Sequence, residues 1–248
     1  YEKLELLIDG QFRAGSAGEV EAVINPATED TLAEVLAPDA KIEGPFEELR
    51  LELERDLRTA VEGEALVVHY QPQFNLEDGI ICGAEALLRW QHPEKGVVMP
   101  GDFIHLAEES GLILAIGNWV LHAALGQFKA WNKSGRLDDG CRVAVNVSAL
   151  QFRQADFVGQ VERALKETGA EPGWLTLEMT ESMLLQDFDE AVKKIQALKA
   201  LGLRFSIDDF GTGYSSLAYL KRLPVDEIKI YRSFVRDMMV DANDAALV

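Results

Sequence analysis

The sequence predicts an α/β fold, a (β/α) barrel, and three observations carry that expectation. From Leu66 onward, short strand-like runs alternate with helical stretches, the pattern of right-handed crossovers building a parallel sheet. No GxGxxG follows the first of these strands, which argues against a dinucleotide-binding open sheet. The chain has 248 residues, about the length at which such barrels form one domain.

The elements follow in order. Residues 1–40 read as short strands and turns: Leu6-Leu7-Ile8 precedes the turn signal Asp9-Gly10, and Val23-Ile24 precedes Asn25-Pro26-Ala27-Thr28. Residues 41–46 read as a linker. From Glu47, EELRLELERDLRTAV places Leu49, Leu51, Leu53 and Leu57 among mixed charges, a charged amphipathic helix. Strands are expected at about 66–71, 81–89, 142–147, 174–178, 203–208 and 226–230. Helices are expected at about 101–109, 116–133, 154–169, 187–201 and 214–222.

Composition narrows the function. With 42 acidic side chains against 24 Lys plus Arg, the formal net charge is −18, so a nucleic-acid polymer, which needs a basic surface, is a poor partner. A small anionic ligand would need a local cation or metal. The two cysteines, Cys82 and Cys141, stand in unrelated sequence contexts and show neither a disulfide framework nor a zinc spacing. No secretory or membrane-length apolar run is found, and a cytoplasmic location is expected. His69, His92, His105 and His122 show no metal-ligand spacing.

The strands carry polar residues where a core is expected. Residues two apart in a strand share a face. Val143, Val145 and Val147 therefore oppose Asn146; Leu175 and Leu177 oppose Glu178; Phe205 and Ile207 oppose Asp208; Ile228 and Ile230 flank Lys229; Glu85 and Arg89 share a face. Any one of these alone is more often a satisfied buried polar group. Three carboxylates, an amide, a lysine and an arginine converging inside a barrel would be very costly unless they pair or bind metal. Carboxylate and amide oxygens suit magnesium or manganese. Asp208-Asp209 could touch two metals, or one metal and a water. Paired metals activate water and clamp a phosphate, and Lys229 could stabilise the developing charge.

Several segments, in order, carry a family resemblance: YQPQF (70–74), EALLRW (85–90), NVS (146–148), EMTES (178–182), DDFGTGYSSL (208–217) and KI-x-RSFV (229–235). From about Glu47 to Val248 the chain resembles the EAL domain, the bacterial phosphodiesterase that linearises cyclic di-GMP. A second triplet, Glu64-Ala65-Leu66, lacks the following Arg-Trp and is a decoy. The resemblance implies a TIM-like (β/α) barrel of the EAL type that hydrolyses cyclic di-GMP to linear pGpG with two magnesium or manganese ions. It implies that Glu85, Asn146, Glu178 and Asp208 are metal ligands and that Asp209 binds a second metal or positions the water. It places Lys229 near the catalytic water and makes Gln71 and Arg89 substrate contacts. Glu181 would hold the loop after strand five, and that loop, Asp209–Leu217, is linked with homodimer formation.

Three features depart from the family pattern. Tyr231 stands where the family's KID motif has aspartate. The roughly 200 residues from Glu47 on fall short of the about 250 of a closed eight-unit barrel. A C-terminally incomplete barrel lacking its last strands is therefore expected, with little or no hydrolysis by this chain alone. Residues 5–36 resemble the N-terminal segment of aldehyde dehydrogenases, a β-hairpin appendage of the kind a fusion would leave, with no activity carried over. The alternative to an enzyme is an EAL-like sensor that binds cyclic di-GMP or a protein partner without turnover.

Overall fold

The computed structural model describes residues 6–8, 11–13, 20–24, 31–36, 40–63, 65–138, 140–185, 187–211, 222–237 and 239. The chain divides into two compact units, Tyr1–Asp56 and Leu57–Val248. In the first, β1 (Leu6–Ile8) pairs antiparallel with β2 (Gln11–Arg13), and β3 (Val20–Ile24) with β4 (Thr31–Leu36). The expected hairpin segment is thus two separate two-stranded pairs. Helix α1 (Ala40–Glu62) runs through residues 41–46, so the stretch read as a linker is helical.

The second unit is built on one seven-stranded sheet. Along it stand β11 (Glu227–Ile230), β10 (Arg204–Phe210), β9 (Leu175–Thr180), β8 (Arg142–Asn146), β6 (Ile81–His92) and β5 (Leu66–Phe74), with β7 (Gly96–Val98) paired to β6. From β6 to β11 the path is parallel. β5 is antiparallel to β6, against the uniform strand–helix–strand reading. The reason is length: a parallel crossover needs a dozen or more residues. The short connection instead closes as a turn, with the Asn75 N–H donating to Ile80 O at 2.9 Å, the Asp78 carboxylate accepting from the Ile80 N–H at 2.9 Å, and Gly79 at φ 71°. Among the described residues the sheet is not closed into a barrel by hydrogen bonds.

Among the described residues, four helices sit close to their expected ranges, α2 (Pro100–Glu109), α3 (Ile113–Lys133), α5 (Phe157–Thr168) and α7 (Phe188–Leu201), and three short ones lie outside those ranges, α4 (Ala149–Arg153), α6 (Glu181–Leu185) and α8 (Arg232–Asp237). Pro100 opens α2, where its missing N–H costs nothing. The helix expected at 154–169 is α5 alone, and α4 stands just upstream of that range. Ser148 caps α4 by accepting the Gln151 N–H at 3.1 Å, and extended Gln154 separates α4 from α5. Left-handed Gly169 and Gly202 end α5 and α7. Trp174, read as strand, closes a 3₁₀ turn before β9. The helix expected at 214–222 lies almost wholly outside the described residues.

One face of the sheet is apolar. Val143, Val145, Leu175, Leu177, Met179, Phe205 and Ile207 are all buried, with α3 packed on β8 and α7 on β10. In α3, Ile113, Ile116, Val120, Ala124 and Phe128 form the buried stripe of an amphipathic helix. The period-2 alternation of the strands then commits the intervening residues to the opposite face.

Candidate active site

Register assembles that opposite face. Gln71 pairs with Glu85, and Glu85 with Ala144; Asn146 pairs with Glu178, and Glu178 with Ser206. The last member comes from an irregularity. Between Ile207↔Ile228 and Phe210↔Ile230, β10 advances three residues while β11 advances two. Asp208 and Asp209 thus lie against Lys229, a bulge of the kind that re-aims side chains beside sites. Asp209 takes φ 52°, a left-handed conformation that aspartate tolerates better than most residues, and its N–H donates to the Asp208 carboxylate at 3.0 Å.

Glu85, Glu178 and Asp208 bring carboxylate oxygens within 4.8 Å of one another. Lys229 Nζ lies 2.8 Å from Glu85 Oε2, 2.5 Å from Glu178 Oε2 and 3.9 Å from Asp208 Oδ1. Asn146 Nδ2 donates to Glu85 Oε1 at 2.8 Å. Glu178 is 1% exposed. Its burial pushes its carboxyl up to about 7, opposed by Lys229 and helped by Glu85 and Asp208. Burial likewise raises Asp208. Burial alone would lower the Lys229 ammonium, but Glu178 and Glu85 together outweigh it and hold its pKa above the ordinary lysine value.

This donor set fits a hard divalent cation. Its oxygens come from three carboxylates, the Asn146 amide nitrogen is bonded to one of them, and the buried Glu178 demands a positive partner. Lys229 supplies that charge.

The other expected residues lie around the cluster. Gln71 is exposed on β5, opposite Glu85. Arg89 is half-buried on β6, on the face of Glu85, and its guanidinium donates to Leu88 O at 2.7 Å. Glu181 opens α6, with Oε2 buried and without a hydrogen-bond partner among the described residues. The loop it was expected to hold lies largely outside those residues. Tyr231 follows β11, its N–H directed at Phe210 O at 3.5 Å.

Two groups escaped the sequence reading. Ser206 is fully buried beside Glu178, and its hydroxyl has no partner among the described residues; its parity with Asp208 was the available signal. Asp226 clamps the start of β11, accepting from the Phe205 N–H at 2.9 Å and pairing with Lys199 at 2.6 Å, and nothing local in the sequence marks it.

The sequence profile of the EAL domain matches residues 54–248. The chain belongs to the EAL domain family. The motif-based resemblance is therefore borne out, and the match does not include residues 5–36. The bifunctional diguanylate cyclase/cyclic di-GMP phosphodiesterase MucR of Pseudomonas aeruginosa is 49% identical over 199 residues, 80% of this chain and 29% of MucR. The cyclic di-GMP phosphodiesterase NbdA of the same species is 42% identical over 194 residues, 78% of this chain and 24% of NbdA. The chain thus spans less than a third of the length of these curated relatives. The solved MucR phosphodiesterase in complex with c-di-GMP superposes with TM-score 0.75 at 48% identity, covering 79% of this chain and 78% of that one. These likenesses place the unit from Leu57 in the TIM-like EAL fold. Among the described residues, no helix of this EAL domain is long and apolar enough to cross a membrane.

Proposed function

We propose that this EAL domain hydrolyses one phosphodiester bond of cyclic di-GMP to give linear pGpG, using magnesium or manganese. The observation that carries the reading is the convergence of Glu85, Glu178 and Asp208 within 4.8 Å around a lysine. The identity to MucR and NbdA, named as cyclic di-GMP phosphodiesterases, supports the choice of substrate. Glu85, Asn146, Glu178 and Asp208 would hold one ion, and Asp209, displaced by the bulge, would serve a second ion or the water. Divalent ions so held supply a water activated at neutral pH and a clamp for the phosphate charge. Lys229, released from Glu85 and Glu178, directs its ammonium at the water or the developing phosphorane oxygen. Arg89 turns from Leu88 O to a substrate phosphate, and Gln71 contacts the substrate across the β5–β6 edge. Glu181 would hold the following loop, and the homodimer that the family resemblance implies would form through that loop, of which residues 212–217 lie outside the described residues.

Incubation of this EAL domain, extended C-terminally to a closed eight-unit barrel, with cyclic di-GMP and magnesium, followed by chromatographic separation, should yield pGpG, and Glu85→Ala in the same extended chain should abolish it. Binding of cyclic di-GMP without product would reject hydrolysis in favour of the sensor reading. Tyr231, in place of the family's aspartate, is the residue that favours that second reading.

A further inference from the structure

Cys82 and Cys141, unrelated in sequence, are neighbours in the fold. β6 and β8 run parallel and pair Gly83 with Arg142, and one residue earlier on each chain segment stand Cys82 and Cys141. Adjacent strands lie about 4.8 Å apart, inside the roughly 4.4–6.8 Å Cα separation that a disulfide spans. Cys141 Sγ contacts the Ile81 carbonyl oxygen at 3.3 Å. That oxygen belongs to the peptide unit joining Ile81 to Cys82, so standard bond lengths put Cys141 Sγ within about 6 Å of Cys82 Cα.

Both cysteines also line one cavity of about 210 Å³, together with Asn75, Asp78 and Asp138. Within it Cys82 is exposed and Cys141 is buried. Cys82 is the extra residue of a β-bulge, since β5 pairs Gln73 with Gly83 and Phe74 with Ile81. Its thiol meets Gln73 O at 3.6 Å, a weak contact that a side-chain rotation breaks. Among the described residues, the acidic and thiol groups of this cavity do not converge into a metal-binding set.

We propose that Cys82 and Cys141 form a redox-sensitive thiol pair, a modification site whose reagent is a low-molecular-weight disulfide. The Cys82 thiolate attacks one sulfur of the reagent, breaking its S–S bond and releasing one thiol. Cys141 then loses its proton and attacks the Cys82 sulfur of the mixed disulfide. A Cys82–Cys141 bond forms and the second reagent thiol leaves with that proton. Two protein thiols are oxidised, and the reagent is reduced to two thiols. A half-exposed bond of this kind is of the labile, reversible class. It ties β6 to β8 just ahead of Glu85 and Asn146, the two cluster residues on those strands.

The test is incubation with oxidised glutathione, followed by intact-mass measurement and non-reducing peptide mapping. The wild type should lose both free thiols, retain no glutathione, and give one peptide linked through Cys82 and Cys141. Cys141→Ser should stop at a glutathione adduct on Cys82. Cys82→Ser should stay unmodified over the same time, because Cys141 is buried. Circular dichroism checks that each variant is folded, and Cys141→Ala replaces Cys141→Ser if that variant is not. A wild type that keeps glutathione on Cys82, links two copies instead, or leaves both thiols free would overturn the proposal.

Discussion

Replacing Lys229 with methionine tests whether one ammonium holds the acidic cluster together. The substitution keeps the apolar stem and removes the charge that lies 2.8 Å from Glu85 and 2.5 Å from Glu178. Three carboxylates then share a space in which their oxygens lie within 4.8 Å. At that separation and an effective dielectric constant near 20, each pair of negative charges repels by about 3.5 kcal/mol. Removing one partner of a buried ion pair costs about 3–5 kcal/mol. Proton uptake by the carboxylates limits the loss, so about 3 kcal/mol is expected at pH 8 without divalent ions. For a chain of this size that lowers Tm by roughly 6–12 °C. The loss should shrink toward pH 5, where the Glu178 carboxyl is protonated, and manganese should restore most of it. Thermal and urea unfolding at pH 5 and pH 8, with and without manganese, read all three effects. Equal stability of variant and wild type at pH 8 in chelator would refute the reasoning, because the cluster would then not depend on Lys229 for its charge balance.

Other outcomes follow from the same geometry. Burial holds the Glu178 carboxyl at about 7 against an ordinary value of 4.5, so between those values the folded state binds a proton that the unfolded state lacks. Wild-type stability in chelator should therefore fall by about 3 kcal/mol as pH rises from 4.5 to 7, and magnesium should flatten that slope, as urea midpoints across the range will show. Asp226 behaves oppositely. Burial alone would raise its carboxyl, but Lys199 and the Phe205 N–H outweigh it and hold it low. Its stabilisation is present above the ordinary aspartate pKa and is lost as pH falls through the depressed folded value; Asp226→Ala should cost about 1.5–3 kcal/mol at neutral pH by urea unfolding and much less under strong acid. Calorimetric titration with manganese should show binding that Glu85→Ala removes, whereas unchanged binding would place the metal elsewhere.

Most of the candidate site was legible because strands impose period 2. Once Val143 and Val145, or Phe205 and Ile207, are committed to the helix-covered face, Asn146 and Asp208 have only the other face available. The same rule fails where the chain leaves ideal pairing. The Asp208–Asp209 bulge against Lys229 depends on how β10 and β11 align, and strand-by-strand parity contains no term for it. The antiparallel β5 was missed because alternating elements were read as crossovers although only a short turn joins β5 to β6. The short helix α4 went unseen because it and its Ser148 cap lie upstream of the periodic stretch.

The sequence by itself determined which residues face the site and which chemistry they can support. Alternation and side-chain type are local properties that survive whatever packing follows. Only the tertiary structure decided who meets whom. It set Glu85 beside Asn146, lifted the Glu178 carboxyl by burying it next to Lys229, and placed Asp226 under Phe205. It also put Cys82 next to Cys141, two thiols that look unrelated along the chain. The physical reason is that strand order and register are fixed by the collective burial of one apolar face, and that sum is not contained in any single segment.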